Sequence, residues 1–318
     1  MKKFMSDENG NVIAITAVAM LVFIGFLSLG VDVGTMMIAR NQLQTAADAA
    51  ALAGASGLVF NQSEATNRAI EFAANNTCMN QSVQISTSDV TFPTSSRVQV
   101  QTNQTINLNF AGVIGLPTAN ISAVAAAEIG TIVGTGGLKP WAVPDFGWSV
   151  GEEVVIKSGV LGAPATNPGY FYPVNFPPLN RGTPVPGAQE YESNIVNGAD
   201  SEIYINDILQ VEPGNMVGPT QQGVNYLIDQ DPNAYWDGSG VANSAFPGYS
   251  SPRIIKVPLY DHNLAPDSGR NTVVIVGLAA FFVIDMRGRD VIGVFLEMTT
   301  GGTFGNGFSL LKGVKLVQ

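Results

Sequence analysis

The sequence predicts an α+β protein: a long N-terminal transmembrane and stalk helix, a small α+β module, then a β-rich C-terminal domain. Three observations predict it. Residues 12–31 form a run of twenty without a charge. An alanine-rich segment continues that run to Gly57 without a proline. Beyond Leu138, prolines and glycines recur, and short alternating stretches replace helical spacing.

Twenty helical residues at about 1.5 Å each match a hydrocarbon core of roughly 30 Å. A secretory signal peptide would carry an apolar core of only about 7–15 residues with a small-x-small cleavage site close behind it. Here the run is longer, and Val31-Asp32-Val33 stands at its exit, so an uncleaved anchor is expected. Lys2 and Lys3 precede the run and the next basic residue is Arg40. The positive-inside bias then keeps residues 1–11 as a cytoplasmic tail and exports the rest from the cytoplasmic membrane. Asp32 is the one acid at the edge of the span, and exposure to interfacial water is its expected state. The apolar run 273–284 is only twelve residues long, so it reads as a buried strand.

Along the stalk, Met36, Ala39, Leu43, Ala46, Ala50, Ala53 and Gly57 recur at alternating steps of three and four, which lines up one helix face. Gly30 and Gly34 form a small-x-x-x-small pair that admits close backbone approach. Arg40, Gln44 and Asp48 make a polar row on another face. The seam suits packing either on the chain's own exported part or on another subunit; spacing leaves both open.

The ordered strings G-N-V-I-A-I-T-A, G-V-D-V-G and A-R-N-Q-L-Q-T-A-A-D-A-A-A-L-A-G-A resemble the N-terminal segment of the TadE/TadG-like Flp pilus-assembly family. The likeness continues through residues 98–130, similar to that family's strand, short helix with a G-[IL] turn, and strand ending in A-x-A-E. In the family's processed pseudopilins a glycine precedes the cleavage site and a glutamate sits five residues on. Gly10 is present here, but the fifth residue after it is Ile15. The resemblance therefore implies a TadG-like, unprocessed, membrane-anchored member whose partners are other pilus-assembly or envelope proteins. Pro140-Trp141, Pro213-Gly214-Asn215-Met216, Gly218-Pro219-Thr220 and Ser251-Pro252-Arg253 are also similar to C-terminal regions found with such anchors.

After the stalk (12–57), a module over 58–133 is expected. Its elements are a helix over 63–75 capped by Ser63, strands at 83–85 and 98–108, a short helix and a further strand. The breakers at 134–137 mark the boundary to an exported β-rich domain over 134–318. Its strand candidates are 154–157, 202–208, 253–259, 273–285 and 291–298, the last two flanking a turn at Arg287-Gly288-Arg289.

One cysteine, Cys78, excludes an intrachain disulfide and a cysteine-based zinc site. With 15 basic against 25 acidic residues, and nine acids but no Lys or Arg between Arg181 and Arg253, a nucleic-acid partner is disfavoured. The usual account of such acids is a solvated face.

Gly147-Trp148-Ser149-Val150-Gly151 has the G-x-S-x-G form. A nucleophile elbow needs a helix after the serine, whereas Gly-Glu-Glu-Val-Val-Ile-Lys follows and reads as a strand. His262 is the chain's one histidine, beside Asp261. No catalytic set is expected, and no cofactor. Asp229, Asp231, Asn233 and Asp237 resemble a calcium loop in outline, yet Ala234 and Gly240 hold the EF-hand's glycine and glutamate positions. An irregular calcium site there is the one metal expectation, and aspartates in a surface turn are its bland counterpart. The functional expectation is a non-enzymatic envelope component acting through stalk-helix packing; the alternative is an adhesin-like, ligand- or calcium-binding module on an anchor.

Overall fold

The computed structural model describes residues 8–158, 170–214, 216–264, 266 and 271–317. Lys2 and Lys3, which carry the topology signal, and Asn215 of the Pro213–Met216 motif lie outside them. The chain divides into two compact units, residues 1–128 with 315–318, and residues 129–314.

The first unit opens on α1, Glu8–Gly57, a single helix of 50 residues. Residues 15–31 are exposed along their length apart from half-buried Ser28, whereas Ala39, Leu43, Ala46, Ala47, Ala50 and Ala51 are fully buried. One helix therefore changes environment midway, where the composition changes. Helix α2, Gln62–Ala74, folds back onto its end. Its cap is Asn61 rather than the expected Ser63: the Asn61 side chain accepts the Glu64 N–H at 2.8 Å. The two helices meet through small residues. A Cβ on Gly57 would lie 2.6 Å from Ala65 Cα, so only glycine lets α2 approach this closely.

Short strands β1 (Thr77–Cys78) and β2 (Gln81–Ser82) replace the expected strand at 83–85. Strands β3 (Val90–Thr94), β4 (Arg97–Asn107) and β5 (Thr118–Thr135) pair antiparallel. The β4–β5 ladder runs unbroken from Arg97↔Glu128 to Asn107↔Thr118. Its tip holds the 3-10 turn Ala111–Ile114, closed by Gly115 at φ +88°, where glycine is favoured. The breakers at 134–137 do not end the strand, since β5 continues to Thr135.

The strands of the second unit include β6 (Trp141–Pro144), β7 (Glu153–Ser158), β8 (Tyr170–Asn175), β9 (Ile203–Tyr204), β10 (Ile208–Val211), β11 (Tyr235–Trp236), β12 (Val241–Ala242), β13 (Ile254–Tyr260), β14 (Thr272–Arg287) and β15 (Asp290–Leu296). Six of them close a ring: β14 pairs β13, β13 pairs β6, β6 pairs β8, β8 pairs β7, β7 pairs β15, and β15 returns to β14. Closure removes exposed ladder edges. One face of these strands gathers Trp141, Phe171, Val257, Phe281 and Phe295 into a core; the other gathers Tyr172, Tyr260, Leu278, Phe282 and Leu296. Burial on both faces explains the near-continuous apolar run of β14. The β14–β15 turn falls at the expected Arg287–Arg289, with Gly288 at φ +63°.

Two helices depart from the strand-only expectation: α3, Ala188–Asn197, and α4, Val217–Gln230. Both join the first core, through Tyr191, Ile195, Val224 and Leu227. The expected strand over 202–208 is two short strands, β9 and β10, with Asn206 at φ +74° between them. The Pro140-Trp141 and Gly218-Pro219-Thr220 motifs come together in a buried chain. Trp141 Nε1 donates to Tyr191 Oη at 2.9 Å, and Tyr191 Oη lies 2.9 Å from Thr220 Oγ1, which donates to Met216 O at 2.6 Å.

Lys139 is also buried here, its Nζ donating to Val196 O at 3.0 Å. Burial first, and the Lys256 charge second, push its pKa down to about 8. The folded state therefore binds fewer protons at this site than the unfolded chain between pH 8 and the ordinary lysine value of 10.5. Stability from this group rises with pH across that window, by about 3 kcal/mol at most. In denaturant titrations followed by tryptophan fluorescence, wild type should gain on Lys139→Met as pH rises from 8 to 10; a gap that does not move with pH contradicts this.

Candidate functional site

The region where α1 leaves its exposed stretch carries the most constructed polar arrangement of the first unit. Asp32 is not open to water: it is 1% exposed. Its Oδ1 accepts the Asn109 N–H at 2.7 Å, its Oδ2 accepts the Ala111 N–H at 2.7 Å, and the Phe110 N–H bonds Oδ2 at 3.0 Å. A carboxylate that takes three successive backbone donors fixes the β4–β5 tip against the helix. The neighbouring loop donors close on their own turn, with Val113 N donating to Phe110 O, Gly115 N to Gly112 O, and Leu116 N to Ala111 O.

Above this latch, the seam faces the chain's own unit. Ala39, Leu43 and Ala46 are buried with Cys78, Val83, Ile106 and Ala123, and Met36 packs against the same cluster. Ala50 is fully buried and Ala53 is 8% exposed. Cys78 is buried, with Sγ 3.6 Å from Ala39 O. Gly30 is exposed and Gly34 half-buried, and nothing lies within 4 Å of where a Cβ would stand on either. The polar row serves β5: Arg40 donates to Ser122 O at 3.1 Å and Gln44 to Val124 O at 3.2 Å, while Gln44 also donates to Asp48 at 2.8 Å.

In the second unit, the region after Ser149 turns directly into β7. The helix that a nucleophile elbow requires is not there. His262 is engaged with Asp145, whose Oδ1 lies 2.6 Å from Nδ1, and the Phe146 ring lies against it, tilted by 38° with centroids 4.0 Å apart. Asp145, Asp261 and His262 bring three donor atoms within 4.8 Å of one another, the one such group of His, Cys, Asp and Glu among the described residues. Two carboxylates and an imidazole are a donor set that divalent metals accept.

The four calcium candidates are placed differently. Asp229 and Asn233 are exposed. Asp237 closes its own turn, Oδ1 accepting from Ser239 N and Gly240 N, both at 2.8 Å. Asp231 is buried; Oδ2 accepts from Ser244 and Ser251 hydroxyls, both at 2.6 Å, and Oδ1 from Ala245 N at 3.0 Å. Burial alone would raise its pKa, but these hydrogen bonds and the Arg253 charge outweigh it and hold the carboxyl below its ordinary value. Asp207 and Glu212 are buried as well: Asp207 accepts from Arg181 Nε at 2.7 Å and Tyr204 N at 2.8 Å, and Glu212 from Gly187 N at 3.2 Å. Three acids of the acid-rich segment are thus structural rather than part of a solvated face.

Sequence reasoning did not find the loop partner of Asp32. The signal available was a lone acid at the end of an apolar run, together with a hydrophobic hairpin tip, F-A-G-V-I-G-L.

Residues 10–57 match the family described as putative Flp pilus-assembly TadE/G-like. The matched segment is α1 nearly from end to end; residues 98–130 and the C-terminal motifs lie beyond it. No curated protein and no solved structure matches the chain.

Proposed function

We propose that this chain is a membrane-anchored, non-enzymatic envelope component of a Tad/Flp-type pilus-assembly or secretion system. Helix α1 holds it in the cytoplasmic membrane, with the N-terminus in the cytoplasm and the chain beyond the span exported. The observation that carries this reading is the pilus-assembly match over a helix whose first part is apolar and exposed while its second part is locked into a folded unit. Lys2 and Lys3 ahead of the span support the orientation. The strand after Ser149 supports a non-catalytic role, and the acidic balance favours protein partners over nucleic acid.

Because Leu43 and Ala50 are buried within the chain's own unit, contact with other assembly proteins falls to the outward face of α1, where Met37 is 64% and Ile38 55% exposed. Thiol crosslinking in cells from Met37→Cys or Ile38→Cys should capture another pilus-assembly or envelope component. Crosslinks confined to the chain itself would count against the assembly role.

A further inference from the structure

We propose that the hairpin tip 110–116 is a second membrane contact, a loop inserted beside α1 among the lipid acyl chains of the leaflet where the helix emerges. The proposal rests on the reading of α1 as a span.

The tip is apolar and uncovered: Val113 is 91% exposed, Leu116 58% and Phe110 45%. It does not stand above the span but alongside it. A groove of about 360 Å³ is lined by Leu21, Ile24, Gly25 and Leu29 of α1 together with Phe110 and Val113 of the loop. Leu21 is ten residues before Val31, or roughly 15 Å along the helix axis. That distance decides the matter. If the loop stayed outside the hydrocarbon, the span would have to end near Leu21. Only residues 12–20 would then remain, about 14 Å of helix against a core of roughly 30 Å. Extension in the other direction meets Asp7, Glu8, Asn9 and Asn11. A helix that crosses the bilayer with residues 12–31 therefore takes the loop into the outer part of the hydrocarbon with it.

Non-helical backbone at that depth must have its donors satisfied, because lipid offers none. Most donors of this loop meet that condition. Asn109, Phe110 and Ala111 donate to Asp32, and Val113, Gly115 and Leu116 donate to carbonyls of the same turn. Pro117 has no N–H to satisfy. An acid buried at the edge of a span and a bare apolar turn are then one device: the carboxylate takes up three successive N–H groups at the base of a tip whose exposed side chains are apolar. The anchor thereby gains a second point of attachment, which fixes the rotation of α1 about its axis.

The test uses the full chain in nitroxide-lipid vesicles at low protein density, in a Cys78→Ala background. An environment-sensitive dye is placed in turn at Val113→Cys, Leu21→Cys and Glu71→Cys. The expected result is that dye at Val113 behaves like dye at Leu21, quenched by acyl-chain nitroxide and protected from iodide, while dye at exposed Glu71 shows the reverse. Iodide quenching at Val113 with Leu21 still in lipid overturns the loop insertion and leaves the anchor standing. Iodide quenching at Leu21 overturns both. Protection of Val113 from both quenchers means that a second copy covers it, which also overturns the proposal. Because dye or Cys78→Ala can perturb folding, a photo-crosslinker at Val113 in the otherwise unaltered chain gives an independent reading: a lipid adduct is expected, and a protein adduct or none contradicts it.

Discussion

Arg253→Ala is expected to destabilise the second unit by about 3–5 kcal/mol, the range for stripping one partner from a buried charged arrangement. Arg253 is 3% exposed. Its Nε donates to Val283 O at 2.9 Å, Nη1 to Asp231 O at 3.0 Å and Ala234 O at 2.8 Å, and Nη2 to Ile284 O at 2.8 Å. The guanidinium also lies 5.0 Å from the Phe282 ring centroid. Alanine leaves four carbonyls without their donor, and each unsatisfied buried acceptor costs about 1–3 kcal/mol before relaxation and water entry reduce the sum. It also removes the cation beside the buried Asp231 carboxylate. Lysine should recover only part, because one ammonium cannot reproduce a planar fork aimed at carbonyls in several directions. All three tryptophans, Trp141, Trp148 and Trp236, belong to this unit. Denaturant unfolding followed by their fluorescence therefore reports on it directly, and an unchanged midpoint for Arg253→Ala would refute the account.

The second large effect is expected at Asp32, where alanine removes the acceptor of three consecutive backbone donors. Amide exchange of Asn109, Phe110 and Ala111, measured on the full chain in nanodiscs, should accelerate roughly tenfold or more. The amides of α2, which do not touch the latch, should exchange as in wild type. Asp32→Asn keeps one acceptor oxygen but introduces donors, so an intermediate acceleration is expected. Unchanged exchange at the three amides in both variants would show that the turn holds itself without Asp32.

What the sequence made legible were features set by neighbours along the chain. The exposed apolar stretch of α1 follows from an uncharged run matched to bilayer thickness. Strand β4 follows from strict alternation over residues 98–107, and β14 from a run too short to span and too apolar to be exposed. The Arg287–Arg289 turn follows from its glycine. The family match over residues 10–57 falls on the segment whose ordered residue string carries the resemblance.

Helices α3 and α4 were hidden for a physical reason. Their segments are bounded or interrupted by Gly187, Gly198, Pro219 and Gly223, which by local rules discourage helix. Tertiary contact reverses that rule at Gly223. A Cβ there would lie 2.5 Å from Ile195 Cγ2, so the glycine that weakens α4 in isolation is what allows α3 to pack on it.

By itself, then, the sequence determined a helix long and apolar enough to cross a membrane, and the strands whose periodicity is complete within a few residues. Only the tertiary structure decided what the seam packs against, how six strands close a ring, and why Asp32 and Arg253 are buried. The reason is distance along the chain. Asp32 meets its donors 77 to 79 residues away and Arg253 reaches carbonyls 19 to 31 residues away in both directions. A charged side chain read locally is a solvated one, and only a folded chain can bring backbone partners to it in the number that burial demands.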